Sequence, residues 1–128
     1  LFESAIDLLS YVALRKMDGA DWRAAHLLSL AGVYQPAKEI EKSKVPAALS
    51  RFLKENPQIR EVVFHLDNDR TGRLATTAIR TVLPEKYQCT DDPPKQGSDV
   101  NDELCIRLGI RVTKREKASS GRDQRGVR

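Results

Sequence analysis

The chain has 128 residues and a mass of 14.4 kDa, which suits one domain with one hydrophobic core. Its 40% hydrophobic and 31% charged residues are ordinary for a soluble protein and exclude collagen-like and fully disordered chains. The net charge of +4 suggests a nucleic-acid binder, but residues 111–128 hold seven bases and two acids, a net of +5, so the first 110 residues stand at −1.

That basic stretch includes Arg111, Lys114, Arg115, Lys117, Arg122, Arg125 and Arg128. It has almost no apolar residues after Lys114 and is predicted to be a disordered tail or linker. No apolar run reaches the roughly 18 residues of a membrane helix, so no membrane partner is expected. Leu1-Phe2-Glu3 lacks the basic-then-apolar opening of a signal peptide. Without an initiator Met, the chain reads as a piece of a longer protein. Cys89 and Cys105 have no CxxC spacing and support neither a disulfide framework nor a zinc site, so a reducing cytoplasm is expected.

Leu1-Phe2 reads as the end of a strand. Ser4 is a helix N-cap with Asp7 as its capping-box partner, and Ile6, Leu9, Ala13 and Met17 recur at helical spacing over residues 5–17. Asp18-Gly19 ends that helix. Leu27 to Ala31 reads as a buried strand closed by Gly32, and Pro36 to Lys44 as a charged loop with room for a helical turn. Pro46 suits the first turn of a second helix, striped by Ala47, Leu49, Phe52 and Leu53 and stopped by Asn56-Pro57. Glu61 to Leu66 is apolar and β-branched, a central-strand pattern. A helix is predicted from about Gly72 to Leu83, with Leu74, Ala75, Ala78, Ile79 and Val82 facing inward. Tyr87 to Thr90 reads as a short strand and Asp91 to Ser98 as a loop. Ser98 or Asp99 then caps a last helix carrying Leu104, Cys105 and Leu108 and ending at Gly109. The order β-α-β-α-β-α-β-α argues an α/β fold with a mainly parallel sheet.

In such folds, sites form beyond the carboxyl ends of the strands. Acids fall there three times: Glu3, then Asp67 with Asp69, then Asp99 with Asp102. Clustered carboxylates repel unless a cation sits among them, and hard oxygen donors favour Mg2+ or Mn2+. The alternative for each acid is a plain helix cap, which is the favoured reading for Asp99 and Asp102. Asp67-Asn68-Asp69-Arg70-Thr71-Gly72 is not a calcium loop, because its twelfth position is Ala78 and a buried strand precedes it. Nor is it a haloacid-dehalogenase nucleophile motif. About twenty residues between Asp69 and Asp91 leave no room for that family's Ser/Thr and Lys units.

The same residues resemble the Toprim domain of primases, topoisomerases and some nucleases. Phe2-Glu3-Ser4-Ala5-Ile6-Asp7 is similar to its first motif, a strand ending in Glu. Val62 to Leu66 followed by Asp67-Asn68-Asp69-Arg70-Thr71-Gly72-Arg73 resembles the primase-type D-x-D-R-A-G motif. Gly97-Ser98-Asp99-Val100-Asn101-Asp102 resembles its G-K-D-x-x-D segment, and Leu30-Ala31-Gly32 the intervening strand end. Two positions depart from the pattern: Ser4 stands where Gly usually follows the Glu, and Ser98 stands where Lys is common. The wording is most similar to Toprim-like domains of primase-related proteins on conjugative plasmids and transposons.

The resemblance implies a Rossmann-like fold of about four mainly parallel strands over residues 1–110, with the first strand truncated. It implies Mg2+-dependent phosphodiester chemistry in which Glu3 is a general acid/base or metal ligand. Asp67 and Asp69 hold metal, Asp99 serves a second ion, and Arg70 and Arg73 contact phosphate. DNA, RNA primers or nucleotides, and neighbouring domains are the implied partners. A primase-like nucleotidyltransferase, inactive as an isolated piece, a nuclease or topoisomerase-type cleavage module, and a non-catalytic interaction module all remain open. Lys38, Lys42 and Lys44 read as a solvated loop. Tyr11, Tyr34 and Tyr87 lack the context of a topoisomerase nucleophile, and His26 and His65 read as structural.

Overall fold

A computed structural model describes residues 1–32 and 34–110, so the basic tail expected over 111–128 lies outside the described residues. Local chemistry sets the elements. The Ser4 hydroxyl accepts the Asp7 N–H at 3.3 Å and opens helix α1 (Ala5–Met17), and Gly19, at φ 73°, closes it. Helix α2 (Ala47–Glu55) starts after Pro46 and ends at Asn56. Strand β1 (Glu61–Phe64) leads to α3 (Arg70–Val82), β2 (Gln88–Asp91) and α4 (Val100–Arg107). The 3-10 turn Ile40–Lys42 is the helical turn allowed for in the charged loop; a second spans Trp22–Ala24.

β1 and β2 pair in parallel from Glu61–Gln88 to Phe64–Asp91, with α3 as the crossover. On the other edge of β1, the Leu1 amino group donates to the Val63 carbonyl at 2.8 Å, and the Leu1 carbonyl accepts from His65 N–H at 2.8 Å. Phe2 bonds onward to Leu28 and Leu30, at 2.9 and 2.8 Å, through a single parallel bridge to Ser29. Of the four strands expected, two are regular among the described residues. The reason is partner length. Leu27 to Ala31 is apolar enough for a strand, but only Phe2 and Glu3 offer it backbone groups, and its residues end up half-buried or exposed.

Helices cover both faces. Leu1 joins Leu49, Leu53, Val62, Phe64, Ile79 and Leu83 in the larger core under α2 and α3. Phe2, the next residue and so on the opposite face, packs with Leu14 and Val100 under α1 and α4. Completely buried Phe64 and Ile79 each contribute about 1.5–3 kcal/mol of apolar burial. Two apolar assignments differ from the sequence pattern. Leu74 was expected inward but is 45% exposed, because Ala75, Ala78 and Ile79 already fill the inner stripe of α3. In α1 the recurring apolar residues Ile6, Leu9 and Met17 are exposed, whereas Asp7, Ser10 and Leu14 are buried. Among the described residues, no helix is long and apolar enough to cross a membrane.

Candidate metal centre

Three helices begin at one place. Ser4, Asp69 and Asp99 are the N-caps of α1, α3 and α4, each with an extended backbone just after a sheet segment or its following loop. The Asp69 carboxylate accepts the Gly72 N–H at 2.8 Å, and that of Asp99 accepts the Asp102 N–H at 2.7 Å. Both acids therefore cap helices, as the plain reading holds, and both also stand near Asp67 at the site. The Asn68 N–H donates to the Ser98 carbonyl at 2.6 Å and ties the two capping loops together. Helix N-termini carry partial positive charge, so the convergence favours anions here.

Two glycines make the approach possible. A Cβ on Gly72 would lie 2.0 Å from the Asp67 carbonyl oxygen, so only Gly lets the first turn of α3 rest on the Asp67 backbone. Gly97 has φ +75° and sits where a Cβ would meet the Asp102 Cβ at 2.4 Å. Asp102 is buried and accepts the Ser98 N–H at 3.0 Å, so it braces the loop that presents Asp99.

Carboxylate oxygens of Asp7, Asp67 and Asp99 lie within 4.8 Å of one another. Asp67 is half-buried, and its carboxyl is pushed up to about 8. Desolvation is the first cause, followed by the negative charges of Glu3, Asp7, Asp69 and Asp99. The sequence-predicted acids Glu3, Asp67, Asp69 and Asp99 are thus one electrostatic cluster. A set made only of carboxylates, crowded enough to hold a proton near neutrality, is the donor chemistry of a hard divalent cation.

Asp7 is the member that sequence reasoning read only as a capping partner. Its Oδ2 accepts the Ser4 hydroxyl at 2.9 Å, its Oδ1 accepts the Asn101 N–H at 3.2 Å, and it is 4% exposed. It therefore fastens the start of α1 to the start of α4. Its place was the available signal: Asp7 lies in the first turn of α1, which begins just after Glu3.

The predicted phosphate contacts diverge. Arg70 is exposed at the first position of α3. Arg73 is committed to Asp91 at 2.5 Å and to the Leu66 carbonyl at 3.4 Å. Lys42 pairs with Glu39 at 3.3 Å on an exposed turn. His65 is buried against Phe2 and Tyr11, with ring centroids 5.0 and 4.6 Å away, and is structural. His26 is exposed and meets the edge of Phe52.

No curated protein and no solved structure matches the chain. The sequence profile of the Toprim-like family matches residues 1–104. That span covers every acid of the cluster and both site glycines, and on it we conclude that the chain belongs to the Toprim-like family.

Proposed function

We propose that this chain is the metal-binding core of a primase-like nucleotidyltransferase that acts on DNA templates, in a replication protein of a mobile element. The observation that carries the metal assignment is the convergence of Asp7, Asp67 and Asp99 within 4.8 Å at the start of three helices. The D-x-D-R-x-G wording of Asp67 to Gly72 supports primase over nuclease. The hydrogen-bonded order Leu28–Leu30, Leu1–Phe2, β1, β2 supports a four-stranded Rossmann-like sheet beneath the site.

In this reading Asp7, Asp67 and Asp99 hold Mg2+ or Mn2+, with Asp69 beside them. A bound divalent ion supplies charge neutralisation at phosphate oxygens. Glu3, half-buried beside Asp67, takes the proton of the attacking hydroxyl. Arg70 meets the phosphate backbone from the start of α3. The first 110 residues, at −1, give little electrostatic grip on DNA, so template binding falls to neighbouring domains and to the basic stretch 111–128. Free Cys89 and Cys105 fit a cytoplasmic location.

Calorimetric titration of Mg2+ and Mn2+ into wild type and Asp67→Asn tests the centre. Wild type should give saturable heat that the variant loses, and no heat from either protein defeats the metal assignment and favours a non-catalytic interaction module. Primer synthesis from nucleotides, set against nicking of plasmid DNA, then separates primase from nuclease in the longer protein.

A further inference from the structure

Helix α3 turns a face without a single acid toward solvent. Arg70, Leu74, Thr77 and Thr81 follow at i, i+4, i+7 and i+11 and are all exposed, with Arg80 exposed and Arg73 half-buried along one border. The opposite side packs Ala75 and Ile79 into the larger core. Both threonine hydroxyls donate back to their own helix, Thr77 to the Arg73 carbonyl at 3.0 Å and Thr81 to the Thr77 carbonyl at 2.8 Å. Between the arginines the surface is therefore small and uncharged.

A helix face that is merely solvated interleaves charges of both signs. Exposed bases elsewhere on the protein find acids: Lys42 pairs with Glu39, Arg51 with Glu55, Lys95 with Asp92 and Arg107 with Asp18. Arg70 and Arg80 take part in no salt bridge among the described residues. Arg70 also stands where a base costs stability. It is the first residue of α3, at the positive end of the helix dipole, whereas the first turns of α1 and α4 carry Asp7 and Asp102 with Glu103. An unpaired base held at an unfavourable position breaks a local rule without a gain inside the fold, which points to an anion supplied from outside.

The net −1 of the first 110 residues conceals this segregation. Five of their sixteen acids belong to the cluster at Asp67, and fifteen bases against eleven acids remain for the rest. The acid-free face starts at the residue after Asp69 and runs about 15 Å to Arg80. We propose that this face of α3 is a track for the sugar–phosphate backbone of the single nucleic-acid strand whose reacting end lies at the acid cluster, with Arg70 and Arg80 as its phosphate contacts. The inference rests on the functional reading of that centre and extends the contact from Arg70 along the helix. At roughly 3.4 Å per stacked nucleotide the track covers about four nucleotides. Arg73 adds less, because Asp91 and the Leu66 carbonyl already hold its guanidinium.

The test titrates the full chain and its variants with a fluorescein-labelled DNA or RNA strand of about twelve nucleotides, read by anisotropy in EDTA over a series of salt concentrations. Lys16, an exposed base on α1 across the sheet, controls for charge alone. Arg70→Gln and Arg80→Gln should each weaken binding about five- to tenfold and lower the salt slope by about 0.7, with the Tm of Arg70→Gln unchanged or raised. Arg70→Lys and Arg80→Lys should keep most of the affinity, and Lys16→Gln should stay within about twofold of wild type. Both glutamine variants within about twofold of wild type overturn the proposal, as does an equal loss in Lys16→Gln. A polyglutamate peptide bound as tightly as the strand also overturns it, since the face would then take acidic protein. Asp67→Asn should bind the strand in EDTA at least as well as wild type. A failed metal titration therefore leaves the track standing, and a failed track leaves the metal centre standing.

Discussion

Divalent-cation binding should expel a proton from this protein, and the amount should depend steeply on pH. In the metal-free fold the Asp67 carboxyl is pushed up to about 8, first by desolvation and then by the charges of Glu3, Asp7, Asp69 and Asp99. At pH 7 it is therefore about 0.9 protonated, and at pH 9 about 0.1. A cation ligated by Asp67 needs the carboxylate, so binding should release close to one proton at pH 7 and almost none at pH 9. Isothermal titration of Mg2+ or Mn2+ in two buffers of different ionisation enthalpy gives the proton count directly. Asp67→Asn should abolish the release. Release that stays constant from pH 7 to 9, or that survives in Asp67→Asn, would refute the assignment of the proton to this side chain.

The same shift has a stability sign. A group whose folded pKa lies above its unfolded value favours the fold at low pH, and that contribution is lost as pH rises through the folded pKa. Without metal, the protein should lose stability between about pH 4 and 8 on this account. Full burial would set an upper limit of about 6 kcal/mol, and water reaching a half-buried carboxylate cuts it to a few kcal/mol. Saturating cation should flatten the slope.

The remaining outcomes are separable. His65 is buried and lowered to about 4, chiefly by desolvation, so it stabilises the fold fully above pH 6.5 and loses up to about 3 kcal/mol as pH falls from 6.5 to 4. Urea melts of wild type and His65→Phe across that window check it, and an equal acid slope in both would count against it. Gly72→Ala drives a Cβ into the Asp67 carbonyl and should cost at least about 2 kcal/mol in denaturant melts while weakening metal binding; unchanged affinity would show that α3 does not set the Asp67 position. Ala31, exposed at φ 58°, should tolerate Gly with a gain of about 0.5–1 kcal/mol, read as a rise in Tm. Leu74→Gln should lie within about 0.5 kcal/mol of wild type, whereas Ile79→Ala should cost about 2–5, and similar losses for the two would restore Leu74 to the core.

What could be read from the residues divides by whether the cause is local. Caps and breakers act within one turn, so Ser4, Asp99, Asn56-Pro57 and Gly19 mark helix ends that the structure reproduces, whereas α3 starts at Arg70, behind its Asp69 cap, and not at about Gly72. Strands depend on partners far away in sequence. Leu27 to Ala31 reads as a full strand, yet its pairing is limited to the reach of Phe2 and Glu3.

Helix α1 shows the deeper limit. Apolar periodicity correctly reports a helix, but burial goes to the face whose polar groups are paired. Ser10 bonds the Ile6 carbonyl and Asn101, and Asp7 bonds Ser4 and Asn101, so neither pays the penalty of an unpartnered buried polar group. Ile6 and Leu9 are left in water on the other side. Asn101, some ninety residues away, decides this. No pattern within residues 5–17 shows which face of α1 is buried, so Asp7 reads as a capping-box partner from sequence and is a buried member of the acid cluster in the fold.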